Sequence, residues 1–436
     1  LKQNDAMIDV IGTDAGAPAS LPVSQQTLLR AAYRIAAPDR LHAALRDWLE
    51  SGDRLLKTPE VLLSSDQPIA LCDCLHALSP EQPVVVLASG DPLWFGIGRI
   101  LCERIPRQRL RFHPAPASLQ LAFARLGRTW QDASWISLHG RDPEPLAQRL
   151  QQRPKALAVL TDPSRGGAET VRRILHASGL EAAYQTWLFE QLGHADERVQ
   201  QLQPQEPLPD DLHPLHLLLL LAEPAAPPDP AQLPLFGLND GLFLQHDDRP
   251  GLMTKREMRI QLLADLDLPE SGVLWDLGAG VGSVGLEALR LRPMLKLLAV
   301  EQRSGGAALI KANALRLGVQ PAAVLEREAE TLIEGHQLPP PLAKPHRVLL
   351  GGGGRRRGEL LQAVLKQLLP GGRVVIPLAT LEAVAELRQL LEQSGMQVQL
   401  HQHQAWRGQP LSDGTRLAPM NPVFILSASR PLGKKA

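Results

Sequence analysis

The 436-residue sequence carries only three cysteines, an odd number that supplies no disulfide framework and fits a reducing compartment. It has no net charge. Lys+Arg and Asp+Glu both number 46, so no bulk field draws the chain to nucleic acid or to an anionic membrane. Long apolar runs are missing too: the longest aliphatic stretch, Leu217–Ala222, is far short of the about 20 residues that span a bilayer and reads as a buried strand. The opening Leu1-Lys2-Gln3-Asn4-Asp5 lacks the apolar core of a signal peptide, and a cytoplasmic location is expected. There is no short-period repeat, no Ser/His/Asp nucleophile elbow and no lysine-bearing phosphate loop. Cys72-Asp73-Cys74-Leu75-His76 has the residue types of a metal cluster. Side chains two apart diverge on a helix, however, and no second cysteine pair exists, so no metal site is expected.

What is present is ordinary globular composition, 44% hydrophobic and 21% charged. At this length two cores are expected, and proline marks the division. Four of the eight residues of Glu223–Pro230 are proline, which neither a helix nor a central strand accepts. Pro234 and the turn Asn239-Asp240-Gly241 lengthen the interruption. The expected organisation is one domain over 1–222, a stiff linker over 223–235 that few contacts cross, and a second domain over 236–436.

Both halves alternate short apolar runs with helical patterns, the mark of α/β layering. The first half's runs are Met7–Gly12, Val84–Ala88, Trp135–His139, Ala156–Thr161 and Leu215–Ala222. Those of the second are Val273–Leu277, Leu295–Val300, Arg347–Leu350, Arg373–Pro377, Gln397–His401 and Val423–Ser427, the last two a candidate antiparallel pair.

The strongest chemical signal is Val273-Leu274-Trp275-Asp276-Leu277-Gly278-Ala279-Gly280-Val281-Gly282, a strand ending in a glycine turn ahead of the helical run Ser283–Leu291. Gly278, Gly280 and Gly282 let backbone approach a ligand closely at the carboxyl end of a sheet. A dinucleotide fingerprint asks for a further glycine where Ser283 stands, which disfavours an oxidoreductase. Asp276 suits a cationic ligand, and S-adenosylmethionine carries both an ammonium and a sulfonium. Glu301, about 20 residues on and ending the next strand, suits a ribose diol. Glu328, within Glu326–Glu330 after a third expected strand, suits the adenine amino group.

With Gly251-Leu252-Met253-Thr254-Lys255-Arg256-Glu257-Met258-Arg259 ahead of this cradle, Gly351–Gly354 after the fourth strand and Asn421-Pro422-Val423 near the end, the second half resembles the decarboxylating corrin methyltransferases of cobalamin biosynthesis. The resemblance implies a Rossmann-like class I methyltransferase fold.

In the first half, Ser89-Gly90-Asp91-Pro92, His113–Gln120 with Ala117 and Ser118, Ser137–Arg141 with His139 and Gly140, and Leu160-Thr161-Asp162 all lie where strands give way to loops, the ligand-binding side of open α/β sheets. In this order, and with Gln131-Asp132-Ala133 and Leu192–Glu197, they resemble the tetrapyrrole methylases (class III methyltransferases), in particular the corrin C5-methylating branch. The resemblance makes Ser89–Pro92, Ala117, Ser118, His139, Gly140, Thr161 and Asp162 a second S-adenosylmethionine set. The family's opening Gly-x-Gly-Pro-Gly is here Gly12-Thr13-Asp14-Ala15-Gly16, with only two of its glycines.

The order of the halves resembles the fused corrin C5,15-methyltransferases. That implies methylation of a precorrin-6B type substrate at C5 by the first half, and at C15 with loss of the C12 acetate as carbon dioxide by the second. The partner implied is a small tetrapyrrole, with a homo-oligomer allowed for. A polycarboxylate substrate directs attention to Thr254, Lys255, Arg256 and Arg355 as its contacts, although Lys255, Arg256, Arg259 and Arg355-Arg356-Arg357 read equally as exposed clusters. His346, His401 and His403 are candidates for the proton donor in decarboxylation. Competing readings are a class I enzyme acting on another acceptor, RNA included, and a non-catalytic binding module in the first half.

Overall fold

The computed structural model describes residues 7–51, 62–78, 82–204, 206–223, 227–335, 337–351, 354, 356–411 and 414–432. Two sheets form the first half. Strands β1 (Ile8–Thr13), β2 (Arg34–Ala37), β3 (Leu62–Ser64), β4 (Val84–Ser89) and β5 (Leu110–His113) make an all-parallel sheet in the order β3-β2-β4-β1-β5. Its central strands are apolar on both faces because helices cover both. Val84 and Val86 pack with Ile8 and Val10 on one side, Val85 and Leu87 with Ile11 on the other. The second sheet is mixed: β6 (Ala133–Ser137), β7 (Ala156–Leu160), β8 (Gln185–Glu190), β9 (Arg198–Leu202) and β10 (His216–Leu221), ordered β6-β7-β10-β8-β9.

A seven-stranded sheet forms the second half from β11 (Ser271–Leu277), β12 (Met294–Glu301), β13 (Ala323–Glu326), β14 (Arg347–Leu350), β15 (Arg373–Leu378), β16 (Gln397–His403) and the last strand, Val423–Ser429. The order is β13-β12-β11-β14-β15, then the last strand, then β16. The last strand is antiparallel to both neighbours, as the tail's two apolar runs led one to expect. Between β16 and that strand stands a hairpin, β17 (Trp406–Pro410) with β18 (Thr415–Pro419), which makes the last strand β19. Alternation along β11 sends Val273, Trp275 and Leu277 into one core and Leu274 into the other. Trp275 satisfies its indole N–H on the Leu342 carbonyl at 2.7 Å. No helix among the described residues is long and apolar enough to cross a membrane.

The halves touch, contrary to the expectation that few contacts cross between them. Gly241 N donates to Gly179 O at 2.8 Å, Arg407 Nη1 to Ser178 O at 3.3 Å and Arg173 to Leu411 O at 3.3 Å. Arg416 of β18 pairs with Glu144. A methyl group on Gly251 would lie 2.3 Å from the Gln151 carbonyl, so that loop is pressed onto the end of the helix Glu144–Gln151.

Candidate functional site

The glycine turn after β11 is built by backbone geometry. Gly278, Gly280 and Gly282 all have positive φ (76°, 58° and 80°), which side-chain-bearing residues resist. Gly278 and Ala279 donate to Val300 O at 2.9 and 3.0 Å, which ties the turn to β12. Glu301, 6% exposed, accepts from Gly280 N at 2.7 Å through one carboxylate oxygen and from Arg303 N at 3.0 Å through the other. Gly351, after β14, donates to Leu277 O at 2.7 Å, and a side chain on it would crowd the Gly278 carbonyl at 3.0 Å.

Asp276 is turned inward. It is 2% exposed and accepts from Gly285 N at 3.1 Å, in the first turn of the helix Ser283–Leu291. Burial pushes its carboxyl up to about 7, with Glu301 adding to the shift and the Gly285 amide opposing it.

This turn opens on a cavity of about 630 Å³. Gly278, Ala279, Gly280, Val281, Glu301 and Arg303 form one wall, and Met253, Thr254, Lys255 and Met258 a second. The hairpin, with Arg407 and Pro419, and first-half residues including Arg153 and Ser178 close the rest. Of the expected set, Gly278, Gly280, Glu301, Thr254 and Lys255 therefore share one cavity, whereas Asp276, Gly282 and Glu328 do not line it. Glu328 is the exposed N-cap of the helix Ala329–Glu334, near the Thr331 hydroxyl at 3.4 Å. Arg256 points elsewhere and donates to Gly237 O at 2.6 Å. Arg355 lies outside the described residues; its neighbours Arg356 and Arg357 pair with Glu359 and Glu386.

The reading of Arg259 as an exposed cation is corrected. It is fully buried, bonded to Glu287 at 2.8 Å and Asp240 at 2.7 Å. The signal was available: Leu262, Leu263 and Leu266 follow it at three, four and seven residues, so it lies on the buried stripe of its helix. Asp240, read from sequence as a turn residue, is 2% exposed and accepts from Arg259, Arg407 and the Arg256 amide. Burial raises its carboxyl pKa, but Arg259, Arg407 and Lys255 outweigh that and hold it low. The Lys255 ammonium has a lowered pKa, first from burial and then from Arg407, Arg153 and Arg259, with Asp240 opposing. Among the three histidines, His403 lines the cavity and its buried Nε2 has no partner among the described residues. His346 instead accepts from Val273 N at 3.0 Å, and His401 faces Asp265 at 3.1 Å.

The first half gathers its motifs less openly. A methyl group on Gly12 would lie 2.3 Å from Gly90 O and 2.7 Å from Ala115 N, and one on Gly90 3.4 Å from Ala117 Cα. The ends of β1 and β4 and the loop after β5 thus meet. Asp91 accepts from Leu93 N at 2.9 Å and caps its own turn, with Ser89 beside it bonded to Arg40, while Pro92 is buried. Ala117 caps the helix that Ser118 begins. Asp162 accepts from Gly140 N at 2.8 Å and from the Ser164 hydroxyl at 2.6 Å, which, with the Ser164 bond first, lower its pKa. Thr161 donates to His216 O at 2.7 Å, and His139 precedes Gly140 in the same turn. Cys72 is buried and Cys74 exposed on the helix Pro68–Ala77.

Comparison with known proteins gives this arrangement a class. Residues 244–430 match the precorrin methyltransferase domain family, and residues 7–206 match the tetrapyrrole (corrin/porphyrin) methylases. The fold is thus that of a tetrapyrrole methylase followed by a methyltransferase of the precorrin type. A precorrin-6Y C(5,15)-methyltransferase [decarboxylating] of Sinorhizobium sp is 35% identical over 70% of this chain and 70% of its own. Another protein of that name, from Mycobacterium tuberculosis, is 28% identical over 97% of this chain and 100% of its own. A probable cobalt-precorrin-6B C(15)-methyltransferase (decarboxylating) of Pyrobaculum aerophilum is 33% identical over 44% of this chain and 95% of its own. The chain belongs to the family of decarboxylating precorrin-6Y C5,15-methyltransferases.

Proposed function

We propose that the chain methylates a reduced corrin precursor of the precorrin-6B type twice, with S-adenosylmethionine as donor, in cobalamin biosynthesis. Residues 1–222 act at C5, and residues 236–436 act at C15 and release the C12 acetate as carbon dioxide. The observation that supports this most is the glycine turn Gly278–Gly282, held by Glu301 and opening on a large, partly apolar cavity that also carries cations. S-adenosylmethionine fits the turn: a methyl group on Gly280 would meet no heavy atom of the described residues within 4 Å, which leaves this face to a ligand. When bound, it supplies an electrophilic methyl group.

The chain's own work is positional. Gly278 and Gly280 bring backbone against the ligand, Glu301 keeps lone pairs for the ribose hydroxyls, and Asp276 fixes the turn from behind. In the first half Ser89, Gly90, Asp91, Pro92, Ala117, Ser118, His139, Gly140, Thr161 and Asp162 form the corresponding set. Met253, Met258, Val281 and Met420 present apolar surface for a macrocycle face, while Lys255 offers charge to its carboxylates. Holding the ring carbon in line with the methyl donor is the main source of rate. In decarboxylation the bond to the departing carboxylate breaks, its electron pair enters the conjugated ring, and a proton is taken up at a neighbouring ring position. Of His346, His401 and His403, His403 alone lines the cavity, and we assign the delivery of that proton to it.

The test is mass spectrometry of full-chain reactions with a reduced corrin precursor and S-adenosylmethionine. Two methyl groups should be gained and one carboxylate lost. Gly280→Val puts a β-branched residue at φ 58° and fills the ligand's space, so it should add at most one methyl and release no carbon dioxide. Decarboxylation by that variant overturns the division of labour, and no turnover by the wild type overturns the assignment.

A further inference from the structure

We propose that Arg153, which the first half contributes, is a carboxylate anchor of the second half's cavity, so that substrate recognition for the decarboxylating step draws on both halves. The inference rests on the function proposed above, since it needs a substrate with carboxylates. Arg153 follows the helix Glu144–Gln151 at φ 51°, the left-handed position where glycine is least strained. A long side chain held there points to a role for that side chain. It is 9% exposed and lines the same cavity as Gly280 and Glu301.

Its surroundings leave the guanidinium under-used. Within its own half it is hydrogen-bonded to the Tyr184 hydroxyl; its bond to the other half is a long one, from Nη1 to the Asp240 carbonyl at 3.5 Å. The cavity's acids are engaged elsewhere. Asp240 holds Arg259 and Arg407, Glu257 grips Arg407 with both oxygens at 2.7 and 2.8 Å, and Glu301 is tied to backbone amides. Among the described residues, Arg153, Lys255 and Arg303 therefore line the cavity without an ion-pair partner; Arg153 is the most buried of the three, and its repulsion contributes to the lowered pKa of Lys255. A buried guanidinium and a half-buried ammonium facing one cavity are stabilised by an anionic ligand. A guanidinium's fork suits a carboxylate, which it binds through two parallel N–H groups. Lys255 stands on the loop that Gly251 presses against the Gln151 end of the same helix, so docking of the halves brings the pair together.

The experiment compares Arg153→Gln and Arg153→Lys with wild-type full chain. It reads KM and kcat for carbon dioxide release, the dissociation constant of S-adenosylmethionine, the first methylation and the melting temperature. Arg153→Gln should raise the KM for the corrin precursor about 10- to 100-fold, the loss of charge-assisted hydrogen bonds, with cofactor affinity and the first methylation unchanged. Arg153→Lys keeps the charge without the fork and should fall between, and it alone decides the matter if the glutamine variant does not fold. Unchanged KM in the folded variants overturns the inference. A parallel loss of KM, cofactor affinity and melting temperature does so too, because that pattern belongs to a brace between the halves. Decarboxylation by the wild type with either of these results leaves the proposed function standing; no decarboxylation by the wild type removes both.

Discussion

A methyl group on Gly12 would sit 2.3 Å from the Gly90 carbonyl, whereas one on Gly280 would meet nothing within 4 Å among the described residues. Both glycines lie at the carboxyl end of a central parallel strand, yet they serve different needs. In the first half the missing side chain lets two loops cross in contact. In the second it leaves room for something that is not protein. A glycine in a strand-to-helix turn is thus a sign of closeness, and only the surroundings say whether the close partner is chain or ligand.

Four measurements bear on this contrast. Gly12→Ala should have the largest effect, because backbone on both sides cannot yield. We expect a loss of about 3 kcal/mol in the unfolding of the first half, followed by thermal denaturation, and an unchanged melting curve would erase the distinction. Glu301→Ala should weaken S-adenosylmethionine binding to the second half by about 1.5–3 kcal/mol, or roughly 10- to 100-fold, by calorimetry. Because Glu301 also holds Gly280 N, Glu301→Gln should recover part of that loss; equal affinities in all three proteins remove Glu301 from the site.

The third is a pH dependence. The Asp276 carboxyl, raised by burial from 3.8 to about 7, binds a proton in the folded state that the unfolded chain has released between those values. Its contribution to stability is therefore full below about 4 and is lost as pH rises through 7. Asp276→Asn cannot titrate and should flatten the fall in stability of the second half between about pH 4 and 7; an identical slope in both proteins contradicts the buried placement. Smallest is Asp91→Ala, which removes a turn cap on Leu93 N and should lower stability by about 0.5–1 kcal/mol. It should impair the first methylation while carbon dioxide release continues, as product masses will tell.

The sequence made the glycine turn legible because its chemistry is local: strand, turn and helix follow one another within 20 residues or so. Most of the buried central strands were legible for the same reason, although Gln185–Glu190, an interior strand of the second sheet, was not. Trp135–His139 was read two residues late, since Leu138 N already bonds outside the strand to Leu160 O and Gly140 turns at φ 65°. Arg34–Ala37, Leu62–Ser64 and Arg198–Leu202 escaped because they are short, and the last two are partly exposed along their length. Of the cavity, the wall built by the glycine turn, Glu301, Thr254 and Lys255 was legible, and the wall that the first half and the hairpin supply was not. Arg153, Asp240 and Arg407 lie 87 and 167 residues apart, brought together by docking that no local pattern encodes.

The hairpin Trp406–Pro410 with Thr415–Pro419 is inserted between two strands that pair with each other, so the sheet closes whether it is long or short. That makes it an independently editable module. Its own pairing is separate from the registers of the seven-stranded sheet, and it carries the Arg407 and Arg416 clasps on the first half. An engineer wishing to uncouple the halves, or to graft this cavity wall onto a stand-alone relative, would begin there.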